Sequence, residues 1–196
     1  MARPRSEEAR QAALDATVDL IVSVGVDGVT FDEVAACSGV AKTTLYRHFG
    51  SKQAMVVAAA TSCFEELPTP DTGDLREDLR TIFDRWKPHD HDAEAERIHD
   101  LLPVLLAAGD RDPELRALVV AMLEERRRPI RTVLRLAQLR GEIGPDVDLD
   151  LMLSLVLGPF VQRRLVDRDE ITDEFRDAVL DHVVVALRAT APIPVG

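Results

Sequence analysis

Six side chains between residues 42 and 48 can donate hydrogen bonds, and no residue in this stretch is acidic. They are Lys42, Thr43, Thr44, Tyr46, Arg47 and His48. Hydroxyl groups and cations of these kinds bind phosphate oxygens, and some of them can also hydrogen-bond to the edges of base pairs. The chemistry that this cluster supports is therefore recognition of a nucleic-acid duplex.

The distribution of charge supports the same chemistry, although the chain as a whole is acidic. Its formal net charge is −11, which taken alone argues against binding a polyanion. Residues 34–64 nevertheless contain no Asp or Glu, whereas about five or six would be expected from the 35 acidic residues in 196. Arg3 and Arg5 add positive charge before the first helix. The acid-free segment is predicted to face a polyanion; the alternative is chance combined with a buried apolar helix.

Two short helices joined by a tight turn are predicted to position the donor side chains. Thr30 and Glu33 form a capping box, which predicts a helix over residues 31–38. Gly39 can adopt the positive φ that the following turn requires. Val40 is expected to fill the space between the helices. These lengths have the proportions of a helix-turn-helix.

The second of these helices is predicted over residues 42–49, with one apolar and one polar face. Leu45 and Phe49 lie four residues apart and form the inner face, which we expect to pack on Leu20 and Phe31. The donor side chains then lie on the outer face or its flanks. A helix with such an outer face suits the major groove of DNA.

The rest of the chain is also predicted to be helical, so the fold class is all-α with nine or ten helices. Aromatic residues make up only 4% of the chain, and no stretch alternates β-branched residues in the manner of a strand. Residues 67–73 contain two prolines and a glycine and form the clearest linker. We therefore predict a DNA-binding domain over 1–66 and a larger helical domain over 67–196. The other predicted helices are 7–24, 51–64, 74–86, 93–108, 113–128, 129–140, 148–167 and 173–189.

Several other classes of protein are disfavoured. Cys37 and Cys63 form neither a disulfide framework nor a zinc-ligand spacing. The start of the chain lacks the apolar segment of a secretory signal, and residues 151–162 are too short to cross a bilayer, so a cytoplasmic location is expected. No enzyme motif, cofactor or metal is predicted. The histidines of residues 89–91, with His99, suggest a metal site only weakly, and a solvated acidic loop is the favoured interpretation.

The segment that carries the donor side chains resembles the DNA-binding domain of the TetR family of bacterial transcription regulators. The resemblance covers roughly residues 7–66 and departs at Ala41, where many members have a capping Ser. A weaker resemblance to one C-terminal subtype of the family lies in residues 128–148 and 158–160. The motif runs Thr30-Phe31, then Val34-Ala35, then Ser38-Gly39-Val40-Ala41-Lys42-Thr43-Thr44-Leu45-Tyr46-Arg47-His48-Phe49-Gly50-Ser51-Lys52.

The resemblance implies a homodimeric repressor that binds a palindromic operator and is released by a small-molecule effector. By position, it implies phosphate contacts for Thr30, Thr44, Tyr46, His48 and Lys52, and base contacts for Lys42, Thr43 and Arg47. An alternative function is a partner-binding adaptor that keeps the helix-turn-helix fold without reading DNA.

Four of the proposed phosphate contacts have a structural alternative. Tyr46 can be a core aromatic residue, and His48 can serve as a structural hydrogen-bonding group. Thr30 can act only as a helix cap, and Lys52 can be a solvated lysine at the start of a helix.

Two helices near the end of the chain have broad apolar faces, and the resemblance assigns dimerisation to them. Two such helices from each subunit would form a four-helix bundle across a two-fold axis; the alternative is that both are core helices of a monomer. The expected interface residues are Leu149, Met152, Leu153, Val156, Phe160, Phe175, Val179, Leu180, Val183 and Leu187. The residues expected to line an effector pocket, each of which can also be plain core, are Phe83, Trp86, Leu102, Leu105, Met122 and Phe160.

Overall fold

A computed structural model describes residues 3–63, 66–84 and 93–189, with side chains omitted for 3–5 and 93–100. Within these ranges the chain forms helices and no strands, which confirms the predicted fold class. The helices are α1 (Arg3–Gly28), α2 (Phe31–Ser38), α3 (Lys42–Phe49), α4 (Lys52–Ser62), α5 (Leu75–Asp84), α6 (Ala93–Gly109), α7 (Pro113–Leu139), α8 (Leu149–Val161) and α9 (Asp173–Arg188).

The bounds of α2 and α3 are those that the sequence predicts, whereas three other segments differ. The first helix extends to Gly28, although Gly25 interrupts it with φ of 72°. The two helices predicted on either side of Pro129 form the single helix α7. Buried Ile130 and Val133 pack immediately after the proline, and this packing offsets the loss of one backbone hydrogen bond. The helix predicted to reach residue 167 ends as α8, which a π-helical segment, Gln162–Val166, follows.

The helices form two compact units that do not follow a single cut in the sequence. The N-terminal unit contains the described residues of Met1–Glu65 and Pro88–Leu123, and the C-terminal unit those of Glu66–Lys87 and Glu124–Gly196. Helix α7 therefore contributes to both units.

The N-terminal unit is built around α1, against which α2, α4 and α6 pack. Its core includes Leu14, Val34, Leu45 and Met55, none of which has exposed surface. Leu45 joins α3 to this core, and half-buried Phe49 packs against it. Because burial of a leucine or methionine side chain contributes about 1.5–3 kcal/mol, this core holds the short helices α2 and α3 in a fixed arrangement.

The C-terminal unit packs α5, α8, α9 and the second part of α7 around its own apolar core. Phe83 and Phe160 stack with ring centroids 4.3 Å apart, and Phe175 meets Phe160 edge-on at 6.0 Å. The stacked and edge-on contacts between these rings contribute stabilisation beyond that from burying their apolar surface.

A buried ionic cluster fastens the linker to the C-terminal unit. The Asp78 carboxylate, which has no exposed surface, accepts hydrogen bonds from the Thr72 backbone N–H and hydroxyl, both at 2.7 Å, and from Arg140 at 3.2 Å. Glu142 accepts hydrogen bonds from Arg188 at 2.7 Å and from the Leu75 N–H at 3.1 Å.

The pKa of Glu142 reflects this cluster. Burial raises the pKa of its carboxyl group, but hydrogen bonds from Arg188, the Leu75 N–H and Arg140 outweigh burial, so the pKa lies below its ordinary value. Charged groups of α5 and of the turn after α7, Asp78 and Arg140, hold the second half of the predicted linker in place.

Candidate nucleic-acid interface

A capped helix and a glycine turn set the angle between α2 and α3. The Thr30 hydroxyl accepts a hydrogen bond from the Glu33 N–H at 3.1 Å, which confirms this half of the predicted capping box. Gly39 follows α2 with φ of 71° and donates its N–H to the Ala35 carbonyl. Ser38 accepts a hydrogen bond from the Val40 N–H at 3.2 Å. These contacts define the turn of a helix-turn-helix.

Helix α3 divides into the inner and outer faces that the sequence predicts. Leu45 is fully buried and Phe49 is half-buried against the same core. Ala41 stands at the N-cap position and provides no side-chain hydrogen bond. The side chains of Lys42, Thr43, Tyr46 and Arg47 are exposed, and that of Thr44 is half-buried.

Tyr46 lies on the surface of the helix-turn-helix rather than in its core. Its side chain is 48% exposed. Its ring stacks on Phe31 of α2 with centroids 4.0 Å apart and an interplanar angle of 28°. The stack fixes the direction of Tyr46 and leaves about half of its surface for contact with a partner.

The three cations of this surface differ in their partners. Lys42 forms an ion pair with Asp32, with Nζ and Oδ2 2.7 Å apart, and this hydrogen bond raises the pKa of Lys42. Lys52, at the start of α4, donates to the Asp27 backbone carbonyl at 3.1 Å. Arg47 forms neither an ion pair nor a side-chain hydrogen bond with any part of the chain that the structure describes. Its guanidinium is therefore the cation most available to DNA.

Thr30 has a structural role beside its predicted contact, whereas the structure shows no side-chain hydrogen bond for His48 within the described residues. The His48 side chain is half-buried, and its Nε2 is buried without a hydrogen-bond partner in the described part of the chain. A phosphate contact by His48 must therefore use Nδ1 or another side-chain conformation. Thr30 is exposed and also caps α2. The structure brings all eight predicted DNA-contact residues onto α3 and the adjoining starts of α2 and α4, and their contacts with DNA stay predictions.

The residues predicted for an effector pocket fall into different units. Leu105 and Met122 belong to the core of the N-terminal unit, near half-buried Leu102. Phe83 and Phe160 belong to the core of the C-terminal unit. Trp86 and the histidines of residues 89–91 lie outside the described residues, and the side chain of His99 is not described either.

The residues predicted for a dimer interface largely fill the protomer's own core. Buried there are Met152, Leu153, Val156, Phe160, Leu180 and Leu187; half-buried are Leu149, Phe175, Val179 and Val183. A side chain without exposed surface in the protomer has none to bury against a second subunit. Those six side chains pack in the protomer's own core, and their place in a dimer interface stays a prediction. The apolar side chains that α8 and α9 expose include Leu151, Leu155 and Val185.

Several polar contacts beside the helix-turn-helix could not be predicted from the sequence. Gln53 of α4 donates to the Asp112 carboxylate at 2.9 Å, and Arg111 pairs with Asp27 at 3.0 Å. These bonds connect α1 and α4 to the turn between α6 and α7. Since each pair is separated by more than fifty positions in the chain, helical periodicity contains no signal for it. They border a cleft of about 330 Å³, also lined by Val26, Lys52, Ala108, Pro113 and Leu115.

The class of protein follows from this arrangement. A rigid helix-turn-helix that exposes hydroxyl groups, an aromatic ring and an unpaired guanidinium, with no acidic residue on its second helix, defines a helix-turn-helix DNA-binding protein. In the described part of the chain, no helix is long and apolar enough to cross a membrane.

Comparison with known proteins identifies the family. The family model for bacterial regulatory proteins of the tetR family matches residues 13–59, and that for the tetracyclin repressor-like C-terminal domain matches residues 69–183. The chain is 30% identical to the uncharacterized HTH-type transcriptional regulator YdeS of Bacillus subtilis (strain 168) over 182 residues. This alignment covers 91% of this chain and 90% of that protein.

Two further relatives cover nearly the whole chain. The DNA-binding transcriptional repressor TetR of Mycobacteroides abscessus is 28% identical over 187 residues, which are 93% of this chain and 95% of that protein. The crystal structure of the TetR family transcription regulator SCO0332 superposes with a TM-score of 0.64 at 30% identity, covering 91% of this chain and 97% of that one. The chain belongs to the TetR family of bacterial transcriptional regulators. It is a DNA-binding regulator and not an enzyme.

Proposed function

We propose that the protein is a homodimeric repressor that binds a palindromic operator through α3 and leaves it when a small molecule binds. The observation that carries the DNA-binding part is the acid-free outer face of α3, with Tyr46 held by Phe31 and Arg47 unpaired within the described chain. The name of the Mycobacteroides abscessus relative as a repressor supports the direction of regulation. Phosphate contacts would position the helix, and Arg47 would distinguish bases.

Substitutions of Tyr46 test the proposed phosphate contact. Tyr46→Phe keeps the stack on Phe31 and removes only the hydroxyl, whereas Tyr46→Ala removes both. If the hydroxyl binds a phosphate, both variants should weaken binding to every duplex by a similar factor and leave the salt dependence nearly unchanged, because a neutral hydroxyl replaces no counterion. The measurement is fluorescence anisotropy of labelled duplexes at several salt concentrations. Undiminished affinity in both variants would refute the contact, and loss in Tyr46→Ala alone would assign the role to the ring.

We propose that the second copy docks on the apolar side chains that α8 and α9 expose. Leu151, Leu155 and Val185 lie on these packed helices with between 46% and 71% of their surfaces exposed. Two recognition helices can enter successive major grooves only if a dimer holds them about 34 Å apart, or at a multiple of one DNA turn. A palindromic operator therefore requires a second copy, and an isologous interface would bury the same side chains on both subunits.

Val185→Asp should dissociate this dimer without unfolding the protomer, because Val185 is 71% exposed. At a two-fold interface the new carboxylate would be buried without a partner, which costs free energy. Repulsion by the same carboxylate of the second subunit would add to this cost. Sedimentation equilibrium should show monomers, and operator affinity should fall in parallel. Val120→Asp, at an exposed valine of α7, is the matched control and should change neither the dimerisation nor the operator affinity. A Val185→Asp dimer that binds the operator normally would contradict the proposed interface.

The proposed effector would act through contacts of α6 and the turn that follows it. Helix α6 packs on both α1 and α4, and Gln53 and Arg111 join the same elements by side-chain hydrogen bonds. Displacement of α6 would therefore change the support of α3. Effector and operator would be negatively coupled, and the coupling must be reciprocal. Leu102, Leu105 and Met122, which lie in the N-terminal unit together with α6, remain the proposed lining.

A further inference from the structure

One acidic side chain lies directly against Lys42, a cation of the proposed DNA-binding surface. Asp32 belongs to the first turn of α2, and its carboxylate holds the ammonium group of Lys42, the first residue of α3, at 2.7 Å. Both side chains are substantially exposed, Asp32 at 74% and Lys42 at 44%. The ion pair therefore lies on the surface and is not part of the core.

Asp32 and its neighbour Glu33 stand immediately before the segment that contains no acidic residue. The acid-free stretch begins at residue 34, two positions after Asp32. Thr30 and Phe31, which precede Asp32, respectively cap α2 and support Tyr46. A negative charge at this place repels DNA phosphates and competes with them for Lys42.

We propose that Asp32 acts as an internal substitute for a DNA phosphate, which occupies Lys42 and restrains binding to non-specific DNA. The proposal rests on the DNA-binding surface proposed above. Non-specific binding depends almost wholly on cations that replace the counterions of the phosphate backbone. While Lys42 is held by Asp32, it contributes little to that exchange.

An operator can break this ion pair where non-specific DNA cannot. Exposed ion pairs are weak, and their loss changes an equilibrium by a factor of about 1.4 to 5. At an operator, base contacts contribute more binding free energy than breaking the ion pair costs. A non-specific duplex makes no such base contacts. Asp32 would therefore weaken binding to both kinds of DNA: a non-specific duplex loses the Lys42 contact, and an operator bears the cost of breaking the ion pair.

The test compares Asp32→Asn with wild type on a duplex of arbitrary sequence, about 20–30 base pairs long. Affinity is measured by fluorescence anisotropy between about 50 and 200 mM KCl. Asp32→Asn should tighten binding about two- to fivefold, and the slope of log affinity against log salt should become steeper by about one. Glu33→Gln, which removes the same charge from the next residue, is the matched control and should have a smaller effect without the change in slope.

A double-mutant cycle with Lys42→Ala decides the mechanism. The gain from Asp32→Asn should disappear when Lys42 is alanine, because no cation is then released. A gain that persists in the Lys42→Ala background, or an equal gain from Glu33→Gln, would overturn the proposal in favour of a general effect of charge. Unchanged affinity in Asp32→Asn would also overturn it.

Failure of the underlying surface gives a different result. If neither Tyr46→Ala nor Lys52→Ala weakens binding to this duplex, the proposed DNA-binding surface itself is wrong. If either variant weakens binding and Asp32→Asn changes nothing, only the role of Asp32 is refuted. Thermal unfolding of each variant confirms that the helix-turn-helix is intact.

Discussion

Asp78→Ala is expected to lower the free energy of unfolding by about 3 kcal/mol, because it removes one partner from a buried, hydrogen-bonded ionic cluster. The Asp78 carboxylate is fully buried and accepts hydrogen bonds from Thr72 and Arg140. Without it, the Thr72 N–H and part of the half-buried Arg140 guanidinium lose the fully buried acceptor that orients them. The linker before α5 should loosen as a consequence.

Asp71 provides a matched control for this prediction. Asp71 also pairs with Arg140, at 2.8 Å, but its side chain is 61% exposed. Asp71→Ala should therefore cost less than about 1 kcal/mol. Urea unfolding at one fixed protein concentration measures both variants, because the stability of a dimer depends on concentration. Similar losses from the two substitutions would contradict the argument that burial makes Asp78 decisive.

Arg47→Ala is expected to lower affinity for the operator much more than affinity for non-specific duplexes. If Arg47 binds guanine through two hydrogen bonds, its loss costs about 1–3 kcal/mol in each half-site. A dimer loses this contact twice, about 2–6 kcal/mol in total, so operator affinity should fall by roughly thirtyfold to more than ten-thousandfold. Preference should relax at one base pair in each half-site, and affinity for non-specific duplexes should fall much less.

An exposed arginine elsewhere separates base recognition from net charge. Arg116 of α7 is 65% exposed and pairs with Asp110. Arg116→Ala removes the same charge and should leave the base preference unchanged. Affinities for the operator and for singly substituted operators would measure both variants. If Arg47→Ala leaves the base preference unchanged at every operator position, Arg47 does not recognise a base and contacts at most a phosphate.

The helix-turn-helix can be predicted from sequence because local signals determine it. The Thr30 cap, the positive φ of Gly39 and the four-residue spacing of Leu45 and Phe49 each act within a few residues. Together they predict the bounds of α2 and α3. The ion pair between Lys42 and Asp32 escapes prediction, since it depends on the angle at which the two helices cross and not on periodicity.

Elsewhere, the sequence indicates which residues are apolar but not which neighbours they meet. Periodicity shows that Val156 and Leu180 lie on apolar faces, and the structure places both in the protomer's own core. In the same way, Met122 and Phe160 are predicted to line one pocket, yet they belong to the cores of different units. Partners of this kind depend on tertiary packing, for which a single sequence carries no pattern.

Selection from a pool of random DNA duplexes tests the central claim most directly, because the protein itself picks out its operator from all possible sequences. The wild-type protein should enrich a two-fold symmetric sequence whose half-sites lie one DNA turn apart, about 34 Å, or a multiple of that distance. Repeating the selection with Arg47→Ala should yield the same symmetric sequence with one relaxed position in each half-site. If the wild-type protein enriches no sequence, or one without two-fold symmetry, the account of a dimer that reads a palindrome through α3 is contradicted.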